Sequence, residues 1–149
     1  MNLKQELYNY CLADVNRRMA ISEKGLQQLQ ESLSAETKSS AGDKHETGRA
    51  MIQLEREQLG NQLANIEAEK EIILKIDPSS KSQIIGLGAV VLTSQHHYFI
   101  ATSIGKIRLN NTDYYALSLG SPIGQLLSGK RAGDKFVFRN QEIEILEVL

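Results

Sequence analysis

Ser121-Pro122-Ile123-Gly124-Gln125-Leu126-Leu127-Ser128-Gly129-Lys130-Arg131-Ala132-Gly133-Asp134 is the stretch that decides how this chain folds. Serine followed by proline is a helix start. The hydroxyl accepts from a free main-chain N–H, and proline at the first helical position gives up only an N–H that has no partner there. Gly129 ends the helix, because glycine accepts the left-handed backbone that closes a final turn. Ile123, Leu126 and Leu127 fall on one side of this short helix, a face suited to covering a sheet. Two strands follow, Lys135 to Phe138 and Glu142 to Val148, joined at Arg139-Asn140-Gln141.

Working back toward the N-terminus, four more short β-branched and aromatic runs precede the helix: Ala89 to Thr93, Tyr98 to Ser103, Lys106 to Leu109 and Tyr114 to Ser118. Asn110-Asn111-Thr112-Asp113 supplies a turn between the last two, since Asn and Asp tolerate left-handed backbone and bond their own main chain. The pattern predicts an antiparallel sheet, as a meander or a pair of hairpins, with one short helix, over residues 84–149. Residues 77–83, Asp77-Pro78-Ser79-Ser80-Lys81-Ser82-Gln83, read as a linker.

The first 76 residues have a different character. From Leu3 to about Glu36, Val15, Met19, Leu26, Leu29 and Leu33 form one narrow stripe, with Ser22 at the missing step. A second segment starts near Thr47 and carries Met51, Leu54, Leu59, Leu63, Ile66 and Ile73. Two narrow stripes predict two helices zipped into a coiled-coil hairpin. Each would be roughly 45–50 Å long at 1.5 Å per residue, longer than a small domain is wide, so the hairpin is expected to protrude. Ser34 to Gly42 is small and polar and reads as the loop at a tip spanning about 34–46. Gly25 and Gly60 inside the helices each cost ~1 kcal/mol relative to Ala and mark soft spots. The fold class is thus α+β, a helical hairpin followed by a sheet domain.

Composition narrows the function. Of 149 residues, 17 are Lys or Arg and 18 Asp or Glu, a net charge of -1. Residues 1–76 carry 10 basic and 12 acidic side chains and the remainder 7 and 6, so no basic half is concealed. An autonomous nucleic-acid binder needs surplus cations, so RNA or DNA is expected to be reached only through a partner. The longest apolar run, Ile84 to Leu92, has nine residues, far short of the ~20 of a membrane-spanning helix. With no signal-peptide pattern and a lone Cys11, the expected location is the cytoplasm.

The stretch Ser121 to Asp134, followed by a hydrophobic strand and Glu144-Ile145-Leu146-Glu147, strongly resembles the C-terminal domain of the GreA/GreB transcript-cleavage and elongation factors. The preceding hairpin matches the other domain of that family. The resemblance implies an FKBP-like C-terminal domain that docks on bacterial RNA polymerase, and a coiled-coil arm reaching through the secondary channel. In that family the turn equivalent to Ser121-Pro122 lies at the polymerase-binding surface, and Lys130-Arg131 is a further candidate contact. Gly120 stands where several members carry an acid.

In cleavage-competent members two tip acids three residues apart hold a magnesium ion in the polymerase active site. Gly42-Asp43-Lys44-His45-Glu46 supplies acids at that spacing. Magnesium is commonly bound by one or two carboxylates plus phosphate oxygens, so such an ion would be shared with the polymerase. The same residues also read as a capping box, Asp43 accepting from a first-turn N–H and Glu46 reaching back. Lys44 and His45 lie between the acids, and the lysine partly offsets the negative field that a cation needs. The two readings stand side by side.

Other residues weigh less. His96-His97 reads as a surface hairpin turn ahead of a metal pair, because adjacent residues on a strand point to opposite faces. Cys11, among Leu7, Tyr8, Tyr10 and Leu12, reads as a packing residue. Lys130-Arg131 also serves a helix C-terminus without any partner. The leading expectation is a polymerase-binding elongation regulator, not itself an enzyme, that stimulates the polymerase's own RNA cleavage. The alternative is a non-cleaving channel regulator. A peptidyl-prolyl isomerase follows only from fold analogy, with Tyr98, Tyr114, Tyr115, Phe99, Phe136 and Phe138 as its available aromatics. A coiled-coil adaptor or chaperone unrelated to polymerase is the remaining class.

Overall fold

The computed structural model describes residues 2–38 and 42–149, with the side chains of residues 2–35 and 47–149. Two long helices, α1 (Leu3–Lys38) and α2 (Gly42–Leu74), precede six strands and one short helix. The strands are β1 (Val90–Thr93), β2 (His97–Ile100), β3 (Gly105–Leu109), β4 (Thr112–Leu117), β5 (Lys135–Phe138) and β6 (Gln141–Val148), with α3 (Pro122–Leu127) between β4 and β5. The expected α+β class, a helical hairpin and then a sheet with one helix, is what the chain adopts.

Two compact units divide the chain. One joins residues 2–13 with residues 71–149, and the other comprises 14–70. Composition places the boundary at the 77–83 linker, whereas packing divides at 13/14 and 70/71, within the helices.

In the helical unit Val15 is fully buried and Ser22 is buried on the predicted α1 stripe, with Met19, Leu26, Leu29 and Leu33 half-buried. On α2, Leu59, Leu63 and Ile66 are half-buried as expected, but Met51 and Leu54 are exposed and Ile52 takes their place. Ile52 lies seven residues before Leu59, one heptad, while 51 and 54 fall outside that seam. Gly25 is a point of close approach: a Cβ there would sit 3.3 Å from Leu59 Cδ1. Arg18 pairs with Glu69 at 2.6 Å and with Asp14 at 2.9 Å. Burial works against the Arg18 charge, and the hydrogen bonds it donates to Glu69 and Asp14 more than offset it, so its pKa rises.

Of the loop expected at Ser34 to Gly42, residues 34–38 belong to α1 and Gly42 to α2, and residues 39–41 lie outside the described residues. Apart from glycine and proline, residues differ in helix propensity by under ~0.7 kcal/mol, so an established helix propagates through a polar stretch.

The sheet has the order β3-β4-β2-β1-β6-β5. Four of its five pairings are antiparallel, but β2 and β4 run parallel, with Tyr98 opposite Tyr115. This departs from the wholly antiparallel meander. β4 returns between β2 and β3, and the Phe99–Ala116 and Ile107–Tyr114 pairings place buried side chains on one shared face. Two of the hairpin loops, between β3 and β4 and between β5 and β6, are Asn110-Asn111 and Arg139-Asn140, all four residues with positive φ between 50° and 65°. That is the two-residue turn whose twist matches flanking antiparallel strands.

One sheet face carries the core cluster of Val91, Tyr98, Ile100, Phe136, Ile143 and Ile145. The α3 residues Leu127, Ile123 and Leu126 pack against it, as the helix pattern predicts. On the other face Val90, Phe99 and Ile107 are fully buried, and the same compact unit contains the fully buried Leu7, Cys11 and Ile73 of the helix ends.

Candidate functional site

Ser121 fixes the start of α3 through both capacities of its hydroxyl. Oγ accepts from the Gly124 N–H at 3.0 Å and donates to the Ser118 carbonyl at 2.7 Å. Pro122 then occupies the first helical position. Gly124 is buried against the preceding turn, where a Cβ would lie 2.0 Å from the Ser118 oxygen. The motif is therefore a folded unit in which the helix rests directly on the 118–119 backbone.

That unit walls a cleft of about 580 Å³. Tyr98, Tyr115, Leu117, Pro122, Ile123, Phe138 and Ile143 form its apolar surface, and Gln95, His96, Ser121, Arg139 and Gln141 its polar rim. The volume and the few polar groups around apolar walls are those of a binding site for a small molecule or an anchoring side chain.

Thr93 holds the rim on one side. Its hydroxyl donates to the His96 carbonyl and accepts from the N–H groups of Gln95 and His96. The His96 ring thereby lies edge-on to Tyr115, with centroids 5.3 Å apart. His97 faces Tyr114 on the opposite side of the sheet, as expected for adjacent strand residues. On the other side of the cleft, the left-handed Arg139-Asn140 turn sets the Arg139 guanidinium over Phe138 at 5.1 Å. Burial raises the Tyr98 phenol above its ordinary pKa, and Tyr115 beside it adds to the effect, so the hydroxyl stays neutral.

Ser121 Oγ is committed at both ends of the α3 cap, and no acid stands among the residues lining the cleft. Among the described residues no group of three or more His, Cys, Asp or Glu could hold a metal ion.

The candidate residues of the sequence fall into three places. Ser121 and Pro122 are brought to the cleft rim. Lys130 is at the other end of α3, where its ammonium donates to the Leu126 carbonyl and satisfies the helix C-terminus. Arg131 is exposed, and its main-chain N–H donates to Asp134 Oδ2 at 2.8 Å. Asp43 and Glu46 fall within the first turns of α2, at positions three apart that share a helical face. Their side chains, on which capping and metal binding both turn, lie outside the described residues. Cys11 is fully buried, in keeping with a packing role. Gln95, His96, Arg139 and Gln141 were not legible as one rim, although the i, i+2 alternation of Tyr98, Ile100 and of Phe136, Phe138 marks the face they surround.

No protein-family profile matches the chain. No curated protein matches it either. Among solved structures, that of the transcription factor Gfh1 is similar with a TM-score of 0.36 and 18% sequence identity, over 93% of this chain and 92% of that one. Similarity at that level decides neither activity nor partner.

Among the described residues, no helix is long and apolar enough to cross a membrane.

Proposed function

We propose that this protein binds bacterial RNA polymerase and regulates transcription elongation in the manner of the GreA/GreB factors. The helical hairpin serves as an arm for the secondary channel, and the FKBP-like domain as the dock. The observation that carries this reading is the Ser121–Asp134 motif, the stretch that resembles the family, whose Ser121-Pro122 turn rims an aromatic-walled cleft. Tyr98, Tyr115 and Phe138 offer an apolar seat, and His96, Arg139 and Gln141 a polar edge, which suits an apolar anchor carried on a protein surface.

In this reading the polymerase is the catalyst and the protein an accessory factor. Asp43 and Glu46 would supply carboxylates to a magnesium ion shared with the polymerase. When bound, such an ion offers Lewis acidity to a phosphoryl oxygen and activates water. The chain's own contribution is to present two positions of one helical face at the arm's end.

The test is an arrested elongation complex whose RNA length is followed after addition of the protein, Asp43→Ala or Glu46→Ala. Shortening by the wild type alone, with all three co-purifying with polymerase, supports arm and tip together. Unchanged shortening by the variants removes the tip role, and failure to bind polymerase overturns the proposal. A second reading, a channel regulator that does not promote cleavage, is favoured by Lys44 and His45 between the acids. It predicts polymerase binding and altered pausing with no RNA shortening by the wild type.

A further inference from the structure

A second cavity, of about 520 Å³, is lined by Asn2, Leu3 and Lys4 at the start of α1, by residues 78–83, and by Val148 and Leu149. All of these belong to the compact unit that contains the sheet. Lys4 is the unusual member. It is only 8% exposed, and among the described residues its ammonium has one hydrogen-bond acceptor, the Ser80 carbonyl at 2.9 Å. An ammonium has three donors, so two remain for whatever enters the cavity.

Further donors line the same cavity. Lys81 is exposed on the same wall, and Asn2 and Gln83 bring side-chain amides. Among the described residues the main-chain N–H groups of Lys81, Ser82 and Gln83 have no internal acceptor. The nearby acid is engaged through one oxygen: Asp77 Oδ1 accepts from the Ser79 N–H at 3.0 Å and from its hydroxyl at 2.6 Å. Ser80 Oγ donates to the Asp77 carbonyl and Ser82 Oγ to the Ile84 carbonyl. Leu3, Pro78, Val148 and Leu149 add half-buried apolar surface to the same walls.

Burying a lysine is costly unless its charge finds a partner. Burial indeed lowers the Lys4 pKa, with Asp77 opposing only in part. We propose that the cavity is a binding site for a small organic phosphate, its oxyanion held by Lys4 and Lys81 and its apolar portion lying against Leu3, Pro78 and Val148. Multiple donors match the several oxygens of a phosphate group, and lysine binds phosphate as a point charge. The volume exceeds the needs of the anion alone and falls in the range of small-molecule pockets.

The experiment titrates the full-length protein with phenyl phosphate and, separately, inorganic phosphate at matched ionic strength, following main-chain amide resonances. Saturable shifts confined to residues 3–5, 79–83 and 148–149 are expected. Phenyl phosphate should bind about tenfold more tightly than inorganic phosphate, the equivalent of about 1.4 kcal/mol. Lys4→Met should abolish binding. Lys81→Gln, at an exposed position where folding is not at stake, should weaken it several-fold with an unchanged melting temperature. Absence of saturation by about 10 mM phenyl phosphate, or affinity unaltered in Lys81→Gln, overturns the site. Equal affinity for inorganic phosphate overturns the organic ligand.

Discussion

Gly124 presses against the carbonyl oxygen of Ser118 so closely that a Cβ at position 124 would lie 2.0 Å from it. The atom in the way is main chain, held by the Ser121 hydroxyl and by the Ser121 N–H. Gly124→Ala must therefore lift α3 from the sheet or break its cap, and should destabilise this unit by about 3 kcal/mol. Gly120→Ala, with nothing within 4 Å of the added carbon, should stay within about 0.5 kcal/mol of the wild type. Urea unfolding followed by near-UV circular dichroism separates the two.

The two interior glycines of the hairpin should respond differently to the same change. Gly60→Ala adds a carbon to open space and should stabilise the helical unit by about 0.5–1 kcal/mol. Gly25→Ala gains the same propensity, but Leu59 Cδ1 at 3.3 Å must yield, so its gain should be smaller or reversed. Thermal unfolding monitored by helical circular dichroism gives the order; equal gains would show that Leu59 moves aside freely.

Arg18 links the two helices through Glu69 while also holding Asp14 on its own helix. Arg18 and Glu69 are each about two-thirds buried at the side chain. A double-mutant cycle of Arg18→Met and Glu69→Gln should give a coupling of about 0.5–1 kcal/mol, weakening with added salt. A salt-independent coupling would point to packing of the arginine stem instead.

Asp77 provides a pH signature. The Ser79 hydroxyl and then the Ser79 N–H hold its carboxylate below the usual range; partial desolvation opposes them and Lys4 adds to them. Because the folded value lies below the unfolded one, the unfolded chain binds more protons between the two, and stability rises with pH there. The contribution is complete above about pH 4 and disappears as pH falls through the folded value. Asp77→Asn should therefore be less stable than the wild type near neutrality, with the gap closing on acidification. Chemical denaturation at a series of pH values measures it, and a constant gap would assign the loss to the amide itself.

Cleft and tip should be separable in the polymerase assays. Tyr115→Ala and Pro122→Ala should weaken polymerase binding by about tenfold, as for anchor positions in an interface. Asp43→Ala should leave that affinity unchanged and reduce only RNA shortening. Competition binding and transcript gels report the two quantities independently, and loss of both in every variant would signal misfolding rather than docking.

Much of the architecture was legible because its determinants are local. Asn110, Asn111 and Asn140 adopt positive φ as side chains that tolerate it, while Arg139 is held there by its two-residue turn, and Ser121-Pro122 and Gly129 bound α3 at the positions their chemistry favours. The 3–4 spacing from Val15 to Leu33 places Ser22 in the seam despite its polarity. The cleft was less legible, since Ser121 and Pro122 come from one segment while Gln95, His96, Arg139 and Gln141 come from turns far apart in the chain.

By itself, then, the amino-acid sequence determined which segments become helix, strand or turn, and which of their faces are apolar. It did so because propensity, capping and periodicity act over a few residues. Only the tertiary structure decided that β4 enters between β2 and β3, that Ile52 rather than Met51 or Leu54 meets the seam, and that a buried Lys4 lines a cavity with Lys81. Those outcomes depend on which surfaces exclude water together, a property of the assembled chain that no local pattern contains.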